Sequence, residues 1–355
     1  MVVDPSFPAL ELLRSEVNDL LDHVPRMKHG ELIQQALATI VQLAQGEADR
    51  LDWKILNYSL QDIGRAFQIF YPYRHIRKIS IFGSARISPE SPEYRMAVDF
   101  ARCVTAQGFM VMTGAGGGIM QAGNEGAGVE KSFGLNIQLP FEQGANPFIE
   151  GDRKLIRFKY FFTRKLFFLR ESDALALFPG GFGTLDEAFE CLTLMQTGKA
   201  EVMPLVLVEP PGSDYWQSWE KYILDHLLKA RLISPDDLNI YTITDRIDVA
   251  CEAIASFYRV FHSTRYVGSQ LVIRLNSELS DAEVALLNEE FSDILVKGRI
   301  EKSRALPQEN EPDISDLPRL VLEFNQRDLG RLYKMIRLIN TMGTVTPASA
   351  HPEHK

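Results

Sequence analysis

Through residues 1–72 the apolar positions fall at helical intervals. Leu10, Leu13, Val17, Leu20 and Leu21 form one series, Ile33, Leu37, Ile40 and Leu43 a second, and a third runs from Trp53 to Phe70. This predicts a helical N-terminal extension that packs on the main domain or on a partner subunit. At Lys78 the pattern changes. Short unbroken apolar runs, namely KISIFG, FMVMTG, FGLNIQLP, ALALF and MPLVLVE, alternate with amphipathic stretches such as EYRMAVDFARCVTAQG and the aromatic-rich segment from Phe158 to Arg170. Strands separated by single helices predict an α/β domain over residues 73–262, a parallel sheet with helices on both faces. Residues 263–342 read as a small α+β unit. Its strands are QLVIRL and PRLVLEF, and Ser280 with Glu283 marks a capping box for the helix that follows. A last helix carries Leu329, Leu332, Tyr333, Ile336 and Ile339, and residues 343–355 are expected to be disordered.

Composition narrows the function classes. With 355 residues, 45% of them hydrophobic, the chain can bury a sizeable core, and its net charge of −9 argues against coating nucleic acid. Cys103, Cys191 and Cys251 are widely separated and form no CxxC pair, which suggests a reducing compartment and no structural zinc. The N-terminus lacks a basic start followed by an apolar core, and no apolar run approaches membrane-spanning length. A soluble cytoplasmic protein is the expectation.

Three predicted strands end in small residues: GSAR (Gly83–Arg86), TGAGGGIM (Thr113–Met120) and PGGFGT (Pro179–Thr184). Glycines let backbone amides approach an anion, and a helix N-terminus adds partial positive charge. Together the turns point to a nucleotide or sugar-phosphate site at the carboxyl ends of the strands. Their spacing is neither GxGxxG with a later ribose-binding acid nor GxxxxGK[ST], which disfavours a dehydrogenase or an ATPase. Two acids follow the last turn. A helix beginning at Thr184 places Asp186 and Glu187 in its first turn, where acids favour the helix dipole and need no further role. Glu187 lies one turn beyond Gly183, so its side chain can also share the glycine-loop face. Upstream, Arg164 sits one turn from Phe161 and Phe168, and an arginine in an aromatic face needs an anionic partner.

These residues resemble the LONELY GUY (LOG) family of nucleoside 5′-monophosphate phosphoribohydrolases, whose members often carry the label lysine decarboxylase. The family motif PGGxGTxxE is matched by Pro179, Gly180, Gly181, Gly183, Thr184 and Glu187, and its upstream arginine–lysine pair by Arg164 and Lys165. The family's TGGGPGIM stretch reads TGAGGGIM here, departing at Ala115 and Gly117. The resemblance covers about residues 76–262, with the longer bacterial members nearer than the short plant ones. It implies a Rossmann-like fold and hydrolysis of a nucleoside 5′-monophosphate to free base and ribose 5-phosphate. Arg164 and Glu187 would be catalytic, with Arg164 holding Glu187 ionised. Ser84, Gly116, Gly118, Lys165, Gly180, Gly181, Gly183 and Thr184 would hold phosphate and ribose. It implies no metal or organic cofactor, no nucleic-acid or membrane partner, and a homodimer or larger assembly. The alternative on the same fold is a non-catalytic protein that binds or carries a nucleotide or molybdenum cofactor, or a nucleotide sensor. No lysine stands in a pyridoxal-phosphate context, so the decarboxylase label finds no support in the residues.

Overall fold

The computed structural model describes residues 23–138 and 144–343, and the chain divides into two units, residues 1–60 and 61–355. The helical series Leu10–Leu21, the end of FGLNIQLP and the tail beyond Gly343 lie outside the described residues. In the first unit, α1 (Gly30–Gln45) is followed by the start of α2 (Arg50–Phe70), whose residues from 61 onward belong to the second unit. Asp49 caps α2, its Oδ1 accepting from the N–H groups of Leu51 at 2.6 Å and Asp52 at 2.9 Å.

The second unit is built on a seven-stranded sheet in the order β4-β3-β2-β1-β5-β6-β7. Its strands are β1 (Lys78–Phe82), β2 (Met110–Thr113), β3 (Ser132–Ile137), β4 (Leu155–Phe158), β5 (Ala174–Leu177), β6 (Leu205–Val208) and β7 (Tyr241–Thr244). Every pairing is parallel. The unbroken apolar runs are explained by burial on both faces. Ile79, Ile81, Ala174, Ala176, Val206 and Val208 pack on one side with α3 (Pro92–Ala106), α4 (Ile119–Ala127) and α8 (Ile247–Phe257). Phe82, Leu175, Leu177, Leu205 and Leu207 pack on the other, with α5 (Phe161–Arg170) and α6 (Phe182–Gln196). The helix α7 (Tyr215–Tyr222) follows β6.

A second sheet is antiparallel, in the order β10-β11-β9-β8, formed by β8 (Phe261–Val267), β9 (Gln270–Leu275), β10 (Leu295–Ser303) and β11 (Arg319–Phe324). It carries α9 (Asp281–Glu290) and α10 (Leu329–Ile339). The capping box is formed: the Ser280 hydroxyl accepts from the Glu283 N–H and the Glu283 carboxylate from the Ser280 N–H. Leu271, Ile273, Leu320, Leu322 and the apolar face of α10 join the same core as Leu205 and Phe257, so the two sheets share one hydrophobic interior. Cys103 on α3 and Cys251 on α8 are paired as a disulfide, where the sequence suggests a reducing compartment; Cys191 is free and buried. The pairing joins neighbouring helices across 148 residues of sequence, a separation that hides it from inspection of the chain.

Candidate active site

The strand order sets the place of the site. From β1 the chain moves outward through β2, β3 and β4, then returns to the other side of β1 for β5, β6 and β7. Connections therefore leave β1 and β5 in opposite directions, and a crevice opens beyond their carboxyl ends. GSAR follows β1 and PGGFGT follows β5, so two of the three glycine turns meet there. They are tied together directly: the Phe178 N–H donates to the Phe82 carbonyl at 2.8 Å and the Ser84 N–H to the Pro179 carbonyl at 3.1 Å.

The crevice is a cleft of about 890 Å³. The glycine turns, Thr184, Arg86, Arg164, Asp186 and Glu187 line it, with Phe82, Met120, Ile137, Phe161, Leu185 and Tyr215 supplying apolar surface. Polar groups converging in a large apolar-walled cleft are the usual form of a small-molecule site.

Its glycines serve two different needs. Gly118 has φ +60, and a Cβ there would lie 2.2 Å from the Ser84 carbonyl oxygen; this glycine lets the second turn close on the first. A Cβ on Gly180 would strike the Thr184 hydroxyl at 2.1 Å. At Gly181 and Gly183 a Cβ would meet no atom within 4 Å. The fold gives no internal reason for those two glycines, and both open on the cleft. Gly181 caps α6, whose first turn directs free N–H groups toward the cleft end of the helix. The helix begins at Phe182, two residues earlier than the sequence suggests, so Glu187 lies in its second turn.

Gly116 and Gly118 do not line the cleft. Their turn is held from behind. Asn146 donates through its backbone N–H to the Ala115 carbonyl at 2.8 Å and through Nδ2 to the Gly116 carbonyl at 3.1 Å and Asn124 Oδ1 at 2.9 Å. The Thr113 hydroxyl donates to the same Asn124 oxygen at 2.7 Å. Ala115 adopts φ 61 and is fully buried, with its methyl group near Gly134 rather than in the cleft.

Helix α5 presents its basic pair to different surroundings. It is anchored by buried Asp62, which accepts from the Lys159 N–H at 2.8 Å and the Thr163 hydroxyl at 3.0 Å. Arg164 faces the cleft, its guanidinium 5.8 Å from the Phe161 ring centre and 5.2 Å from that of Phe168. It lies so near Gly114 that a Cβ there would come within 2.7 Å of its Nη2. Lys165 turns to α6, where its amine pairs with Asp186 at 2.8 Å, with Glu190, and with Glu187 at 3.8 Å. Asp186 is thus an ion-pair partner of α5. Burial opposes the charge on Lys165, but hydrogen bonds to Asp186 and Glu190 outweigh it and raise its pKa.

Glu187 is the perturbed group of the cleft. Its side chain is 13% exposed, and burial pushes its carboxyl up to about 7. Lys165 and Arg164 pull it back; Glu190 and Asp186 push it further up. Arg164 favours the carboxylate, as the sequence suggests, but desolvation dominates and both protonation states are populated near neutrality. Tyr215, which the sequence reading misses, donates from its hydroxyl to the Gly180 carbonyl at 2.6 Å and fixes the turn. Its signal was positional: it starts the helix after β6, whose carboxyl end borders the same crevice. Among the described residues, no group of three or more His, Cys, Asp or Glu side chains could hold a metal ion.

Glycine turns and a largely buried carboxyl at the switch point of a parallel sheet give this α/β protein the form of a small-molecule site. Residues 112–254 match the family model described as possible lysine decarboxylase. The cytokinin riboside 5′-monophosphate phosphoribohydrolase of Mycobacterium tuberculosis is 34% identical over 93 residues, which are 26% of this chain and 47% of that protein. The chain thus spans about half the length of the curated relative it matches. Solved structures include the molybdenum cofactor carrier protein of Chlamydomonas reinhardtii, at 16% identity, 50% and 96% coverage and a TM-score of 0.36. A molybdenum cofactor binding protein of Rippkaea orientalis stands at 18% identity, 51% and 95% coverage and a TM-score of 0.36.

Proposed function

We propose that the cleft hydrolyses the N-glycosidic bond of a nucleoside 5′-monophosphate, an AMP-like nucleotide or a cytokinin riboside monophosphate, releasing free base and ribose 5-phosphate. The observation that carries this reading is the largely buried Glu187 carboxyl, raised to about 7, in the same cleft as an open glycine turn at a helix N-terminus. The phosphate rests on the backbone of Gly180, Gly181 and Gly183 and on Thr184, with Ser84 beside it. Bound there, remote from the broken bond, it supplies positioning energy. As the C1′–N bond breaks, the ribose ring gains oxocarbenium character. The Glu187 carboxylate stabilises that charge and accepts a proton from the water that attacks C1′. Arg164 helps to neutralise the negative charge on the departing base, and the proton taken from water ends on that base, which restores the Glu187 carboxylate. O-glycosidases place carboxylates against a similar transition state. Cytoplasmic location, a role in purine metabolism and a homodimeric or larger assembly belong to the same proposal.

The test is incubation of the purified protein with AMP, GMP, CMP, UMP and an isoprenyl-adenine nucleotide, with base release followed chromatographically. Release from at least one, abolished in Glu187→Gln, is the expected result. Tight nucleotide binding with no release from any would overturn the enzyme and leave a binding or carrier protein.

A further inference from the structure

GSAR ends in an arginine that the mechanism above leaves unused. Two cationic side chains line the cleft among the described residues, Arg86 and Arg164. Arg164 is packed among Phe161, Phe168 and Gly114, and Lys165 is spent on the acids of α6. Among the described residues, the Arg86 guanidinium has no hydrogen-bonding or ion-pairing partner. It is exposed and lines the cleft with the Gly180–Gly183 turn.

Its backbone is held firmly. The Arg86 N–H donates to the Ser84 hydroxyl at 3.1 Å, the Ile119 N–H donates to the Ser84 carbonyl at 3.0 Å, and Ser84 N–H reaches Pro179. Gly118 packs against the Ser84–Ala85 backbone from behind. A solvated surface arginine needs no such frame. Charge balance gives a second reason. The acids at the cleft and beside it, Asp186, Glu187 and Glu190, repel a phosphate dianion and outnumber the Lys165 and Arg164 cations near them.

Resting on the function proposed above, we infer that Arg86 is the phosphate-selecting residue of the site, a guanidinium that pairs with the 5′-phosphate and discriminates monophosphates from uncharged nucleosides. The planar guanidinium donates two parallel bonds to phosphate oxygens, which an ammonium does not reproduce. The phosphate is thereby held between Arg86 on one lip and the Gly181–Gly183 amides on the other. Because this contact positions the substrate, its loss lowers kcat/KM for base release from AMP.

The experiment measures calorimetric binding of ribose 5-phosphate and of ribose to the full chain, as wild type, Arg86→Ala and Arg86→Lys, together with base release from AMP. Removing one charge-assisted contact is expected to weaken ribose 5-phosphate about 10- to 100-fold, with lysine restoring part of it and ribose binding unchanged. The salt dependence of ribose 5-phosphate binding becomes shallower in Arg86→Ala. Affinity within twofold of wild type, or an equal loss for ribose, overturns the inference. Base release that is indifferent to Arg86 overturns it while the glycosidase reading stands. An Arg86-dependent loss of ribose 5-phosphate affinity without base release from any nucleotide supports it and removes the glycosidase reading.

Discussion

Replacing Glu187 by glutamine should stabilise the protein, and by an amount that grows with pH. A carboxyl moved from an ordinary 4.5 to about 7 binds its proton more tightly in the folded than in the unfolded chain. Below pH 4.5 both states are protonated and the group is neutral in its effect. Between 4.5 and 7 the unfolded chain ionises first, so the folded state loses ground. Above 7 the loss is complete, about 3 kcal/mol. The attraction of Lys165 and Arg164 is already contained in that balance. Glutamine keeps the shape and imitates the protonated acid, so it removes the loss: about 1 kcal/mol at pH 5.5 and about 3 kcal/mol at pH 8.5. Thermal melts of both proteins should therefore separate by roughly 5 °C or more at pH 8.5 and by much less at pH 5.5. The same ionisation governs turnover, because the carboxylate is the form that supports the oxocarbenium ion. Wild-type base release should rise through a midpoint near pH 7 and level off above it. A Glu187→Gln protein no more stable than wild type at pH 8.5, or a difference that ignores pH, refutes the reasoning.

The glycines separate stability from binding. Gly183→Ala, inside the first turn of α6 with no atom to meet, should raise stability by roughly 0.5–1 kcal/mol in denaturant titrations while weakening nucleotide binding. Gly118→Ala, at positive φ and against the Ser84 carbonyl, should cost roughly 2 kcal/mol or more in the same titration. Asn146→Ala leaves the Gly116 carbonyl and Asn124 short of a donor; a loss of roughly 1–3 kcal/mol should accompany a lower kcat/KM for base release.

Much of the architecture could be read from the chain because local chemistry reports it. The central strands β1, β2, β3, β5 and β6 are buried on both faces and appear as unbroken apolar runs. The capping box at Ser280 and Glu283 is a bond between residues three apart. The pattern failed at β4, β7, β8 and β10, which are the four edge strands of the two sheets. An edge strand has one neighbour and less burial, so its sequence carries little period: LVKGRIEKS in β10 buries only Ile300.

At the site the division is similar. The glycine turns, Glu187 and the Arg164–Lys165 pair are local signatures, and the chain alone named them. That GSAR lies against PGGFGT follows from the reversal of strand order at β1 and β5, a property of pairing between segments about a hundred residues apart. The separate surroundings of Arg164 and Lys165, the support from Asn146, Tyr215 and Asp62, and the Cys103–Cys251 pair come from the same long-range packing. The chain alone determined where the glycine turns and the carboxyl stand in the sequence. Only the tertiary structure decided how far that carboxyl is removed from water, because desolvation is set by the neighbours that folding brings from elsewhere.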